Sequence, residues 1–290
     1  MDMGSSFEEL NRKYENPVIM QKRMGEVEYL SFPGLLDTGL VNHLFTTRKG
    51  GVSKGIFASM NMSYTRGDDK NAVDENYRRI AKVFGSTPDR IVCSDQTHTV
   101  NIRLVTEEDA GKGVVKEKDY RDVDGLITNT PGLILATFYA DCVPLFFVDM
   151  EHRAIGLSHS GWKGTLHQMG AVTLKAMEQA FGTRPEEVKA AIGPSICCDC
   201  YEVSSDVAEQ FKYFFSDRAE DFLKEGKKEG KYQLDLWKAN ELILLNAGIL
   251  PENIEVTDVC TCCNSQYLFS HRASMGQRGN LGAFMELRKS

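Results

Sequence analysis

The sequence predicts an α/β fold in a single domain, built on a mixed sheet that contains at least one antiparallel hairpin. Three observations predict it. Residues 133–139, 143–149 and 154–158 form apolar runs with few charges between them, as strands buried on both faces do. Segments with helical apolar spacing, at 71–84, 164–181, 204–215 and 234–247, are interspersed among such runs. No internal repeat and no convincing linker interrupts residues 17–290.

Taken from the N-terminus, residues 1–16 are polar and are expected to be a flexible, solvated tail outside the fold. From Val18 to Thr47 apolar and turn residues alternate, and a strand breaks into Lys49-Gly50-Gly51 with Arg48 at its end. Val73, Tyr77, Ile80, Ala81 and Phe84 share one face of a helix that stops at Gly85, a residue free to adopt the left-handed conformation that ends helices. Two short strands at 90–93 and 100–105 flank Asp95-Gln96-Thr97-His98, which puts His98 on a connection.

Residues 106–122, crowded with Glu, Asp, Lys and Gly, are predicted as an exposed loop and a candidate lid. The helix 164–181 closes at Gly182, and the helices 204–215 and 234–247 enclose a charged turn at 224–231. Strands at 254–259, 267–270 and 283–287 complete the prediction.

The chain has 290 residues, 42% hydrophobic and 26% charged, which excludes disorder of the whole. Its 34 Lys and Arg against 41 Asp and Glu leave a charge of −7 without a basic stripe, which argues against nucleic acid as a partner. No apolar run approaches about 18 residues, and the start of the chain is polar and acidic. The expected setting is therefore the cytoplasm, with no membrane partner, as a monomer. Eight cysteines there are thiols or metal ligands sooner than a disulfide framework.

Ala140-Asp141-Cys142 and Ser158-His159-Ser160-Gly161-Trp162-Lys163-Gly164 are the most informative pieces. A hairpin turning at Met150-Glu151 sets Cys142 directly opposite His159, with Cβ atoms about 5 Å apart, close enough to share a metal or a proton. The same pair also fits a small buried thiol beside a hydrogen-bonded histidine. A helix starting near Gly164 would aim free N–H groups at this place, with Lys163 as counter-charge to an anion.

Seven segments in order, FTTRKGG, DQTH, DVDGLIT, ADCVPLFF, SHSGWKG, AAIGPSI with CYEV, and CT with LFSHR, make residues 40–287 resemble the YfiH/YlmD-like family. Its members are also called laccase-domain, polyphenol oxidase or multifunctional purine nucleoside phosphorylase proteins. The resemblance implies a four-layer α/β/β/α sandwich with mixed sheets. It also implies a zinc site on His98, Cys142 and His159, which would be the catalytic centre. Two imidazoles and a thiolate suit zinc, and three protein ligands leave a fourth position open.

The activity implied is phosphorolysis of adenosine, inosine, guanosine or methylthioadenosine to base plus ribose phosphate, and deamination of adenosine, for which a zinc-activated water attacking C6 is sound chemistry. Purine nucleosides and phosphate are thus the expected partners. Phosphorolysis needs a cationic pocket, for which Arg48, Lys163 and Arg272 are the candidates, each also readable as a surface charge. Asn61, Gln96 and Asp141 are candidates to hydrogen-bond purine or ribose, or to orient the metal ligands.

Two departures from the family pattern, His271 in LFSHR and Lys163 in SHSGWKG, weaken the phosphate assignment, because lysine offers a point charge where arginine offers a fork. Cys197-Cys198-Asp199-Cys200 and Cys260-Thr261-Cys262-Cys263 are read as buried thiols in preference to a second metal site, for want of a zinc-ribbon spacing. Three other readings of the main site stay open. Cys142 with His159 could be a thiolate nucleophile and base hydrolysing a peptidoglycan precursor. Copper could occupy the same ligands for phenol oxidation, although six histidines are few for a multicopper enzyme. A zinc-stapled binding module would hold metal without turnover.

Overall fold

The computed structural model describes residues 6–289. In chain order these form β1 (Met20–Met24), β2 (Val27–Ser31), the one-turn helix α1 (Pro33–Leu36), β3 (Val41–Thr46), α2 (Lys70–Val83), β4 (Ile91–Cys93), β5 (Ile102–Leu104) and β6 (Gly125–Thr128). Next come β7 (Ile134–Tyr139), β8 (Val143–Asp149), β9 (Ala154–Ser160), α3 (Trp162–Leu166), α4 (Met169–Phe181) and β10 (Val188–Ile192). The remainder is β11 (Glu202–Ser204), α5 (Ser205–Phe215), β12 (Leu223–Glu225), β13 (Lys231–Leu234), α6 (Leu236–Asn246), β14 (Ile254–Val256), α7 (His271–Ser274) and β15 (Leu281–Leu287).

Two mixed six-stranded sheets run β1-β2-β3-β15-β7-β4 and β14-β10-β8-β9-β6-β5. They stack face to face, and each carries helices on its outer side. The reason is visible in the alternation of side chains along the central strands. In β7, Ile134 and Ala136 pack with Val73, Tyr77 and Ile80 of α2, while Leu135 faces the other sheet. In β8, Phe146 and Val148 join that inter-sheet core, while Leu145 and Phe147 pack with Met169 and Leu174 of α4 and Ala239 and Leu242 of α6. Strands covered on both faces must be apolar throughout, and fully burying each such side chain contributes about 1.5–3 kcal/mol. The four-layer α/β/β/α sandwich is therefore present.

Several predicted elements differ in detail. The β8–β9 hairpin turns through four residues, because Asp149 Oδ1 accepts the Glu151 and His152 N–H groups at 3.0 and 2.9 Å. His159 consequently faces Pro144, not Cys142. The slip is two residues, so both side chains keep the same sheet face and remain diagonal neighbours. The predicted helix 164–181 breaks at Gln168, which has φ +58°, into α3 and α4. Residues 267–270 form no strand; they are a buried turn in which Tyr267 and Leu268 N–H groups both reach Asn264 O.

The loop 106–122 is not wholly exposed, since Asp109, Ala110 and Tyr120 are buried. Residues 1–5 of the expected tail lie outside the described residues. Within the rest of it, Leu10 is buried, Asn11 N–H donates to Asn264 Oδ1 at 2.8 Å, and Arg12 pairs with Asp258. That stretch therefore packs against the body. No helix among the described residues is long and apolar enough to cross a membrane.

Candidate metal centre and its cavity

Buried Asp124, at the N-terminal edge of β6, organises the centre. Its two oxygens accept the consecutive N–H groups of Thr97, His98 and Thr99 at 2.9–3.1 Å, together with the Thr99 hydroxyl at 2.9 Å. Successive amides converging on one anion bend the DQTH connection around it, which explains why His98 sits at φ +67°. The same carboxylate lies 2.7 Å from His159 Nδ1. With a proton on Nδ1 donated to Asp124, the lone pair of His159 is on Nε2, the nitrogen left for a metal.

Cys142 is placed by a second strained residue. Asp141 has φ +89° and is held by the Thr261 hydroxyl and the Arg272 backbone N–H, each donating to its carboxylate at 2.7 Å. The ligand atoms of His98, Cys142 and His159 all lie within 4.8 Å of one another, with 4.0 Å from Cys142 Sγ to His98 Nε2. A Cβ on Gly161 would meet His98 Cδ2 at 3.0 Å and Cys142 Sγ at 3.1 Å, so a bare backbone closes the floor. The donor set and its close convergence fit zinc.

Electrostatics agree with a thiolate beside imidazoles. Burial pushes the Cys142 thiol up, but His159 and His98 outweigh it and bring it down to about 6. Burial lowers His159, whereas the Cys142 thiolate and Asp124 raise it to about 9. Asp124 falls to about 2 despite burial, through His159 and the Thr97 and Thr99 N–H groups.

The three ligands open into a cavity of about 960 Å³. Ligand sites commonly reach up to about 1,000 Å³, so a nucleoside and an anion could fit together. Of the other residues singled out from sequence, only Gln96 lines this cavity. Its amide is committed to Phe138, accepting from the backbone N–H at 2.6 Å and donating to the carbonyl at 2.8 Å.

The remaining candidates stand elsewhere. Arg48 donates to Ala58 O at 3.0 Å and Ser265 O at 2.9 Å, and lies over Phe269. Arg272 donates to Cys200 O at 3.1 Å and Glu202 O at 3.0 Å. Lys163 is exposed over Trp162 on a helix of five residues. Asn61 is buried and ties Ser63, Asp68 and Asn280 together behind the cavity wall.

Cationic groups that the sequence alone did not single out take their place. Arg66, Lys70, Lys118, Arg121 and Arg278 line the cavity, with Tyr64 and Phe138 as aromatic surfaces. Arg278 is only 9% exposed, and its Nε finds no partner among the described residues. Burial and the like charge of Arg66 push its guanidinium down to about 10, a cost that a bound anion would relieve. Asp124 had one sequence signal, its place in DVDGLIT; Arg278, in the loop before β15, had none.

Residues 42–288 match the family model described as multi-copper polyphenol oxidoreductase laccase. A purine nucleoside phosphorylase, YlmD of Geobacillus stearothermophilus, is 37% identical over 248 residues, which are 84% of this chain and 89% of that protein. The crystal structure of YlmD from the same organism superposes with a TM-score of 0.85 at 34% identity, covering 94% of this chain and 100% of the other. The adenosine deaminase RL5, from an unknown prokaryotic organism, is 30% identical over 230 residues, 79% of this chain and 87% of that one.

Proposed function

The chain belongs to the family of the multi-copper polyphenol oxidoreductase laccase model, and from that premise we propose that it is a zinc-dependent purine nucleoside enzyme. Its reactions are phosphorolysis of adenosine, inosine, guanosine or methylthioadenosine, and deamination of adenosine to inosine. The observation that carries this proposal is that one cavity holds both the open His98-Cys142-His159 set and the buried Arg278, whose Nε has no partner among the described residues. Relatives named purine nucleoside phosphorylase and adenosine deaminase support the two reactions.

Zinc, when bound, supplies Lewis acidity to a water or a substrate oxygen at its open position. Everything else falls to the chain. Asp124 keeps His159 in one tautomer and orients His98 through its backbone N–H. Arg278, with Arg66 beside it, receives phosphate, and its fork suits an oxyanion better than the exposed Lys163 does. Phosphate held there would stabilise the positive charge that develops on the ribose as the base departs. Tyr64 and Phe138 offer faces to the purine.

Laccase-type copper chemistry is less well supported by the residues. Of the six histidines only His98 and His159 converge on one ligand set among the described residues. The lowered Cys142 thiol keeps one alternative specific, a cysteine hydrolase acting on peptidoglycan amides. The two separate on metal: the hydrolase keeps its activity after zinc is stripped, and the nucleoside enzyme loses it.

The deciding experiment incubates adenosine with purified protein, with and without phosphate, and separates products by chromatography with mass detection while metal content is recorded. Adenine plus ribose 1-phosphate only with phosphate, or inosine without it, is the expected result. Adenosine unchanged by zinc-loaded protein would overturn the proposal.

A further inference from the structure

A second cluster lies outside the cavity, where Cys197, Cys200, Cys260 and Cys263 hold their sulfurs within 4.8 Å of one another. Cys263 Sγ is 3.5 Å from Cys200 Sγ and 4.0 Å from Cys197 Sγ. Four sulfurs arranged tetrahedrally at about 2.3 Å from zinc stand about 3.8 Å apart, whereas a disulfide requires about 2.05 Å. All eight cysteines are free thiols.

The expectation that these two segments lack a CxxC spacing is corrected. The adjacent Cys198 and Cys262 hide a regular pattern, since Cys197 to Cys200 and Cys260 to Cys263 are each CxxC. The two halves come together because the loop after β10 runs beside the loop after β14, with Ser195 bridged to Cys260. Backbone N–H groups of Cys197 and Cys263 both donate to Cys260 Sγ, at 3.2 and 3.4 Å, as suits a sulfur carrying negative charge. Lys13 brings a cation to the same loop, its Nζ 3.0 Å from Asp199.

We propose that Cys197, Cys200, Cys260 and Cys263 bind a second zinc ion in a closed, all-thiolate site. An all-sulfur set selects soft or borderline ions over magnesium and calcium, and four protein ligands leave no position for substrate. Its role is to clamp the segments that place Cys142. Thr261, inside the second CxxC, donates to Asp141, and the N–H of Ile196, just before the first, donates to Asp141 O at 3.0 Å. Asp141 in turn sets the backbone of Cys142.

The test uses full-length protein expressed with zinc and purified under reducing conditions. Metal analysis is expected to give two zinc ions per chain, and one in the variant H98A/C142A. Zinc-edge X-ray absorption of that variant is expected to show four sulfurs at about 2.3 Å. One zinc in the wild type with none in H98A/C142A, iron in place of zinc, or a Cys197–Cys263 or Cys200–Cys263 disulfide in the mass spectrum would overturn the proposal. C197S/C263S is expected to lose one zinc and keep the other. Because the absorption spectrum is read on a protein with all four cysteines intact, failure of the serine variant to fold leaves the proposal decidable. Loss of nucleoside activity has no bearing on these readouts.

Discussion

Two groups of cysteine-bearing ligands, built on neighbouring strand ends, differ in one respect that decides what each can do. The His98-Cys142-His159 set has mixed donors, one of them exposed, and faces a cavity of about 960 Å³. The set of four cysteines uses a single donor type, lies away from that cavity and is crossed by N–H···S hydrogen bonds. Coordination that is left open can be completed by water or substrate; coordination that is closed can only hold chain segments together. The comparison teaches that ligand number and access, more than the ion itself, would separate a catalytic from a supporting role.

The comparison is broken most forcefully at Cys142. Cys142→Ala is expected to lower phosphorolysis about 1000-fold or more while the protein keeps its fold and one zinc. Full activity with both zinc ions retained would remove the open site from the chemistry. Asp124→Asn keeps the shape and removes the charge that fixes His159. Zinc affinity of the open site, measured by competition with a chelator, should then fall about 10–100-fold, with the four-cysteine site unaffected. Equal affinity would show that the backbone alone positions the two histidines.

A third expectation concerns the anion. Arg278→Lys retains a positive charge but removes Nε and the fork, so KM for phosphate is expected to rise about tenfold while deamination without phosphate changes little. A matched fall in both reactions would make Arg278 part of the fold and not part of the phosphate site.

How much of this was legible in sequence follows from what each feature depends on. The candidate ligand pair was legible because strand parity survives a two-residue slip: the turn at Asp149 is longer than expected, yet Cys142 and His159 still share a face. The cationic wall was not, because Arg66, Lys118 and Arg278 come from three connections, and no local periodicity brings them together. Arg48 and Arg272 looked available for an anion, but backbone carbonyls, which carry no sequence signature, had already engaged them. Residues 267–270 are apolar enough for a strand; Asn264, by accepting two N–H groups, turns them into a loop instead. The pair of CxxC motifs was obscured by an extra cysteine inside each.

The smallest expected effect lies in the loop 106–122, which supplies Lys118 and Arg121 to the cavity. Asp109 ties it down by accepting from Lys112 at 2.8 Å, Arg103 at 2.9 Å and the Thr106 N–H at 3.0 Å. Burial raises this carboxyl, but Lys112, the Thr106 N–H and Arg103 bring it down to about 2. A depressed folded value means that its contribution is fully present above the ordinary 3.8 and is lost as pH falls through about 2. Asp109→Asn is therefore expected to speed pepsin cleavage within 106–122 a few-fold at pH 4, since partly exposed ion pairs are worth at most about 1 kcal/mol. The gap between variant and wild type should close as the pH approaches 2. A gap that stays constant with pH would assign the loop's order to buried Tyr120 and not to charge, and would make the cationic wall independent of the ion pairs behind it.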